Sequence, residues 1–600
     1  MGYFRLNHFR CANYLYMRGF FKTFFAALLA LVVFVVIAVF VLAGIVGGLL
    51  SPGKPEIGSK AVLMVDLGQS FKEQTQDNPL SGLSSEDQYD VPGLYDVIRL
   101  LQHAKEDSAI KGIYIKCNSN PNGFASNEEI RHALIDFKKS GKFVYAYGDM
   151  ISQKAYYVAG VADKIYCNPK GDVEWKGFAT QMLFLKGTLQ KLEIEPQIFY
   201  AGKFKSATEP LREEKMTEAN RLQLTELLGD FYNRLLLSTS QTRGIDTGIL
   251  RKCANEQLIR RAQDAYDYKL VDGLRYDDEV KDELRTRLNV DKHAYLNFVS
   301  LGKYAKAINY KRSGKDKISL IYAEGDVVDG KGERAEIGSE TYRWLIRKAR
   351  FDKDVKAIVL RVNSGGGSSL ASENIWRELT LARKEKPVVV SFGDVAASGA
   401  YYLSCNADSI FALPGTITGS IGVFAVIPNM QSFFRNKLGI TFDGVKTAPG
   451  ADMLSVSRPL NPSERSYIQN EIDTIYHDFK TRVSDGRKKS IEYIDSIAQG
   501  RVWSGTLGLS LGLVDRIGTL QEAIDCAARM AKTSDYRLVE SPEPKSFFDR
   551  LLSGYKKSAG MKAVKEEIGE EGYRTYTLLK KVKAMVGVTE ARLPFDLVIE

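Results

Sequence analysis

The sequence is poor in the residues that usually build metal centres, disulfide frameworks and histidine-based active sites. Six cysteines (Cys11, Cys117, Cys167, Cys253, Cys405 and Cys526) are spread over 600 residues with no close CxxC spacing. That argues against a structural zinc site and against a dense disulfide network, leaving one isolated bridge open. The five histidines are equally scattered, and none lies between His293 and His477. No metal or cofactor is therefore expected. Acidic residues are missing before residue 23, where Arg5, Arg10, Arg18 and Lys22 supply four of the ten net positive charges. The other six are too dilute over so long a chain for a nucleic-acid footprint.

Charge of either sign is absent from residues 23–53, and 24–50 is almost wholly apolar. At a helical rise of ~1.5 Å per residue this run covers about 40 Å, enough to cross a bilayer core with some tilt. A cleaved signal peptide has an apolar region of only about 7–15 residues, so an uncleaved transmembrane anchor over 23–50 is expected. The basic stretch 1–22 would face the cytoplasm, leaving the large C-terminal part outside. A polar linker, Ser51-Pro-Gly-Lys-Pro55, follows. A chain of this length exceeds one core and suggests about two to four domains.

What the sequence does contain is a repeat. Ile110-Lys-Gly-Ile-Tyr-Ile-Lys-Cys-Asn118 matches Val355-Lys-Ala-Ile-Val-Leu-Arg-Val-Asn363, an offset of 245. At the same offset Gly148-Asp149 matches Gly393-Asp394, Ala155-Tyr-Tyr157 matches Ala400-Tyr-Tyr402, and Ala162-Asp-Lys-Ile-Tyr matches Ala407-Asp-Ser-Ile-Phe. Such self-similarity implies two copies of one unit, roughly 56–310 and 316–540. Each copy alternates strand-length apolar runs with amphipathic stretches such as Ser372–Lys384, the pattern of parallel βαβ construction and an α/β fold. Lys303–Lys317 reads as the linker between copies. After Ser541 a charged tail begins, 541–600, with helical pieces such as Tyr573–Met585.

In the second copy, Ala357–Val362 breaks into Asn363-Ser-Gly365-Gly366-Gly367, and Pro387–Ser391 runs on into Asp394-Val-Ala-Ala-Ser398-Gly399. A strand, a glycine-containing turn and a helix bring backbone N–H groups and a hydroxyl to the C-terminal edge of a parallel sheet. Ser398 is thus a candidate nucleophile and the glycine turn a candidate oxyanion hole. In the first copy Gln153 stands opposite Ser398, and Ser119-Asn-Pro-Asn122 stands opposite the glycines, so that copy has kept neither feature. A serine nucleophile needs a base. His477 lies in an amphipathic stretch and reads as a surface or core residue. The alternative is a lysine desolvated until its amine is neutral near pH ~7–8, down from ~10.4 in water. Composition does not single out which lysine.

Asn363-Ser-Gly-Gly-Gly-Ser, Ala396-Ala-Ser-Gly-Ala-Tyr-Tyr and Leu413-Pro-Gly-Thr-Ile-Thr-Gly-Ser-Ile-Gly-Val-Phe resemble the long, tandem-repeat form of the signal peptide peptidases of the SppA (protease IV) type. The likeness extends over nearly the whole chain. It implies two Clp protease/crotonase-like units behind one membrane helix. It also implies a serine endopeptidase with a lysine base from an aromatic-Lys-Ser-Ala-x-Glu-Pro segment, here Phe204-Lys205-Ser206-Ala207-Thr208-Glu209-Pro210. On that footing Lys205 is the base and Ser398 the nucleophile. Ser420 orients the lysine, and Gly366, Gly367 and Gly399 are the oxyanion donors. The position equivalent to Lys205 in the second copy falls near Ala451, so each copy keeps one half of a dyad. The expected partners are cleaved signal peptides and other apolar peptides, the bacterial inner membrane with the catalytic part on its outer side, and further copies in a homotetramer. No nucleic acid is expected. Gly365 departs from the family's usual proline, a freer backbone at that turn. Two rival readings are a crotonase-like acyl-CoA enzyme and a non-catalytic membrane scaffold.

Overall fold

A computed structural model describes residues 23–35, 37, 54–75, 91–333, 335–543 and 589–592. These fall in two compact units. The N-terminal unit (residues 1–56 with 80–86) is helical and exposed over 23–35. Residues 1–22, and most of the expected anchor beyond 35, lie outside the described residues. Among the described residues no helix is long and apolar enough to cross a membrane.

The main unit carries the repeat. Its first half contains strands β1 (Ala61–Asp66), β2 (Ile110–Lys116), β3 (Phe143–Ile151), β4 (Lys164–Val173), β5 (Glu195–Ala201), β6 (Gly273–Leu274) and β7 (Phe298–Ser300). All but β5 form one sheet in the order β6-β4-β3-β2-β1-β7, every pairing parallel. The second half contains β8 (Asp316–Glu324), β9 (Asp326–Val328), β10 (Glu336–Gly338), β11 (Val355–Ser364), β12 (Gly366–Ser368), β13 (Val388–Ala397), β14 (Ser409–Ala412), β15 (Ile417–Gly419), β16 (Val423–Asn429), β17 (Val502–Ser504), β18 (Arg516–Ile517) and β19 (Tyr536–Ser541). Here β18, β14, β13, β11, β8 and β19 pair in parallel in the same order as the first sheet. The expected α/β repeat is therefore two copies of one topology.

Local chemistry repeats with it. In the Ala-Asp-x-Ile motif, Asp163 accepts from the Val144 N–H at 2.8 Å and Asp408 from the Val388 N–H at 2.9 Å. Asp272 and Asp515 each accept from the N–H of that motif's isoleucine, Ile165 and Ile410, at 2.8 Å. Such acceptors tie off backbone donors at strand ends that the ladder leaves unpaired. Helix Ser369–Arg383 covers the expected amphipathic stretch, and its Ile375, Leu379 and Ala382 are buried. The linker is shorter than expected: helix Leu301–Ala307 packs Leu301 and Tyr304 onto the first half, because those apolar residues find cover there. Tyr573–Met585 lies outside the described residues.

A third sheet joins the halves. Its order is β10-β9-β12-β20-β16-β5, where β20 is Glu590–Arg592 from the C-terminal tail. β5 of the first half runs antiparallel to β16 of the second, from Val423↔Ala201 to Asn429↔Glu195. A polar core near this junction also bridges the halves. Arg361, 1% exposed, meets Glu73 and Glu129 at 2.8 Å each. Asn363 donates to Glu73 at 3.0 Å, and Asp394 accepts from the N–H and hydroxyl of Ser126 at 3.0 and 2.5 Å. Burial pushes the Glu129 carboxyl up, while the Arg361 charge draws it back.

Removing one partner of a buried ion pair strands the others without water. Arg361→Met is accordingly expected to lower unfolding free energy by about 3–5 kcal/mol, measured by urea denaturation. Double replacement of Glu73 and Glu129 by Gln in that background should recover part of the loss.

Candidate active site

Ser398 stands where β13 ends and helix Gly399–Ser404 begins, with φ 56° and ψ −117°. L residues rarely adopt this conformation, and it persists only where neighbours hold it. Two backbone bonds do so: the Ser398 N–H donates to the Gly419 carbonyl at 2.8 Å, and its own carbonyl accepts from the Tyr402 N–H at 2.8 Å. Ser420 is similarly constrained, at φ 50°, by its N–H bond to the Arg501 carbonyl at 2.7 Å.

Lys205 comes from the other half of the repeat. Its Nζ lies 2.8 Å from Ser398 Oγ, 3.0 Å from Ser420 Oγ and 3.2 Å from the Ser420 carbonyl oxygen. Lys205 is 1% exposed, and both serines are wholly buried. The lysine is held by contacts the sequence did not advertise. The Phe204 N–H donates to the Gln499 carbonyl at 2.8 Å. Gly500, at φ 75°, backs directly onto it, and a Cβ there would come within 2.7 Å of the Lys205 backbone nitrogen. Gln223 donates to the Phe204 carbonyl and the Ser206 hydroxyl at 3.2 and 3.0 Å, and accepts from the Val502 N–H at 3.2 Å. Buried Glu209 accepts from Thr217 Oγ1 and Asn220 Nδ2 at 2.5 and 2.7 Å, fixing the segment to the start of helix Glu218–Arg243.

The three glycines also meet here. A Cβ added at Gly366 would stand 2.6 Å from the Gly399 nitrogen, and one added at Gly399 would stand 3.1 Å from the Gly367 nitrogen. The Gly366 N–H already donates to Ser364 Oγ at 3.1 Å, leaving Gly367 and Gly399 as the better-placed donors. Gly365 is not among the positive-φ residues, whereas Gly366 and Gly367 are, at 95° and 155°.

The counterparts in the other copies are occupied differently. The Gln153 side chain is bonded to the backbone of Lys176 and Gly177. Ala451 lies in an open loop, and His477 is on the exposed face of helix Pro462–Arg487. The five described cysteines are free and buried. Glu590 is the residue sequence reasoning missed altogether, a buried carboxyl brought close to the site by β20. Burial pushes it up to about 7, against the pull of Arg592.

Electrostatics follow from burial. Desolvation lowers the Lys205 amine well below its ordinary 10.5, and the nearby Glu590 charge only partly opposes this. No carboxylate forms an ion pair with Lys205 among the described residues. A neutral amine within hydrogen-bond distance of a serine hydroxyl can take its proton, and paired amides can hold an oxyanion.

The profile of peptidase family S49 matches the chain twice, at residues 136–291 and 380–534. The first window includes Lys205 and the second includes Ser398 and Ser420. Protease 4 of Salmonella typhi is 35% identical over 558 residues, 90% of each chain. Protease 4 of Haemophilus influenzae is 34% identical over 78% of this chain and 79% of its own. The chloroplastic serine protease SPPA of Arabidopsis thaliana is 33% identical over 75% of this chain and 68% of its own.

A depressed amine also leaves a mark on stability. Below pH 10.5 the unfolded chain protonates this lysine while the folded chain resists it, so stability should rise with pH between the depressed value and 10.5. Lys205→Met is expected to fold, to be at least as stable near neutrality, and to lose that slope in denaturation curves taken across pH.

Proposed function

The chain belongs to peptidase family S49 and is a serine peptidase, and we propose that it is a membrane-anchored Ser–Lys endopeptidase cutting signal peptides and other apolar, extended peptides. The observation that carries this reading is the 2.8 Å contact between Lys205 Nζ and Ser398 Oγ inside a site closed to solvent. Neutral Lys205 takes the proton of Ser398, whose Oγ attacks the peptide carbonyl. The Gly367 and Gly399 amides stabilise the oxyanion, with Gly366 shaping the turn. One such donor is worth about 2.7–4 kcal/mol in the transition state. Protonated Lys205 then gives its proton to the leaving nitrogen, and water activated by the same amine frees the acyl-enzyme. Ser420 orients the amine through its hydroxyl and carbonyl oxygens.

The first repeat (56–310) supplies the base and the second (316–540) the nucleophile and oxyanion hole, each of Clp protease/crotonase type. The apolar run 23–50 is the anchor, with residues 1–22 in the cytoplasm and the catalytic part on the outer face of a bacterial inner membrane. Assembly into a homotetramer fits the same reading. An acyl-CoA enzyme would need paired amides but neither Ser398 nor a dry lysine, so the buried contact favours peptide hydrolysis.

Ser398→Ala and Lys205→Met are each expected to lower hydrolysis of an apolar fluorogenic peptide by at least about 10³-fold with little change in melting temperature. Labelling by a serine-reactive phosphonate should vanish in the first. Near-normal turnover in either folded variant would remove the dyad. Wild-type kcat should rise with pH through the lowered amine value and level off above it, since only the neutral amine is a base.

A further inference from the structure

Lys205 is the central residue of an inverse γ-turn, at φ −73° and ψ 79°, closed by the Ser206 N–H donating to the Phe204 carbonyl at 2.8 Å. Its Cα–Cβ bond points where the two flanking peptides send it, and the amine sits at the end of a flexible four-carbon stem. A small rotation of the turn therefore swings the amine away from Ser398 Oγ. One side chain grips the turn on both flanks. Gln223 Nε2 donates to the Phe204 carbonyl at 3.2 Å and to Ser206 Oγ at 3.0 Å, and Gln223 Oε1 accepts from the Val502 N–H at 3.2 Å. Val502 follows Arg501, whose carbonyl accepts from the Ser420 N–H at 2.7 Å. Gln223 thus ties the turn that carries the base to the backbone that holds the orienting Ser420.

An amide can bond either way round, but here its direction is dictated from both ends. Buried Glu209 accepts from Asn220 Nδ2 at 2.7 Å, which turns the Asn220 Oδ1 toward Gln223, where it accepts from Gln223 Nε2 at 3.0 Å. At the far end the Val502 N–H can only donate, so it takes the Gln223 oxygen. Helix Glu218–Arg243 has a counterpart of the same 26 residues in helix Pro462–Arg487. Counted from the caps Thr217 and Asn461, Gln223 corresponds to Tyr467 and Asn220 to Glu464. Tyr467 is 60% exposed where Gln223 is 1% exposed, and Glu464 pairs with Arg458. The amide relay belongs to the copy that carries the base.

We infer that Glu209, Asn220 and Gln223 form a positioning relay for the base, an inference that rests on the Ser398–Lys205 reading. Glu209 sets the Asn220 amide, Asn220 sets the Gln223 amide, and Gln223 holds the Lys205 turn so that the amine meets Ser398 and Ser420. The amine itself bonds to those two serines and to none of the three relay residues. Breaking the relay frees the turn, which moves the amine off Ser398 and out of its dry seat. Rate and the pH at which the amine becomes a base then change together. Other charges face the turn: Lys203 and Arg501 lie over the Phe204 ring at 5.1 and 4.9 Å, Glu226 pairs with Arg501, and the Glu590 charge reaches Lys205. Relay variants leave all four in place.

Full-length wild type, Gln223→Met, Glu209→Gln, their double variant and Lys205→Met are compared by hydrolysis of an apolar fluorogenic peptide across pH. Turnover is expressed per serine titrated by a reactive phosphonate, beside a thermal melt of each protein. Gln223→Met is expected to lower kcat by about 10²-fold at unchanged KM. The pH at which its kcat levels off should move up, toward the ordinary amine value. Glu209→Gln should move that pH the same way with a smaller loss of rate, whereas loss of its charge alone would move it down. The double variant should be no slower than Gln223→Met, because the relay is already broken. A lower melting temperature with kcat per titrated site and pH profile unmoved would overturn the inference. So would a downward shift in Glu209→Gln, or a double variant slowed by the product of the two single factors. Wild-type-like turnover in Lys205→Met would remove the dyad and the relay together. Loss there beside normal kinetics in Gln223→Met would overturn the relay and leave the dyad standing. If Gln223→Met does not fold, the direction of the Glu209→Gln shift decides; if neither folds, the three residues are structural and the inference falls.

Discussion

Everything about the candidate site depends on keeping one amine dry. A lysine in water is protonated up to about pH 10.4 and is no base at neutrality. Burial draws Lys205 down from that value because its segment is covered from the opposite half: Gln499 and Gly500 close over its backbone, and the Ser420 turn receives its amine. Neither half could desolvate it alone. Burying an uncharged amine among three oxygens satisfies its hydrogen bonds without a counter-ion, which would restore its charge. Packing of the two halves and tuning of the base are therefore a single physical problem.

That dependence bears on how a duplicated unit comes to hold Lys205 in one copy and Ser398 in the other. Both halves keep the parallel sheet and the aspartates that tie off its strand ends. The differences that bear on the site lie in turns at the sheet edge. Gln153 replaces the serine with an amide that bonds to nearby backbone, while the loop around Ala451 is exposed and has no partner surface to dry a lysine. The Arg361–Glu73–Glu129 cluster belongs to the same junction. Its charges are matched only when the halves are docked, so it favours one alignment and penalises slippage.

How much of this could be read from the residues alone varies with the range of the forces involved. The parallel strands were legible because buried strands are long apolar runs, and the repeat was legible because the same motifs recur at a fixed offset. The turn at Ser398 carried its own glycine signature. Lys205 carried none: desolvation is a tertiary property, and only the likeness to a family separated it from Lys203. Gln223 and Arg361 were invisible for the same reason, each bonding to residues far away in the chain. The third sheet escaped because it gathers short strands from distant parts of the chain, as where β5 pairs with β16. β20 escaped more completely, since three residues in a charged tail show no periodicity.

The third sheet also bears on what the enzyme can recognise. β12 and β16 present facing strand edges that β20 pairs through its backbone, a mode of contact with little regard for side chains. At Ala591 the chain is fully enclosed, so the space beside it closes around a methyl group. The same backbone pairing is what holds β20 between β12 and β16.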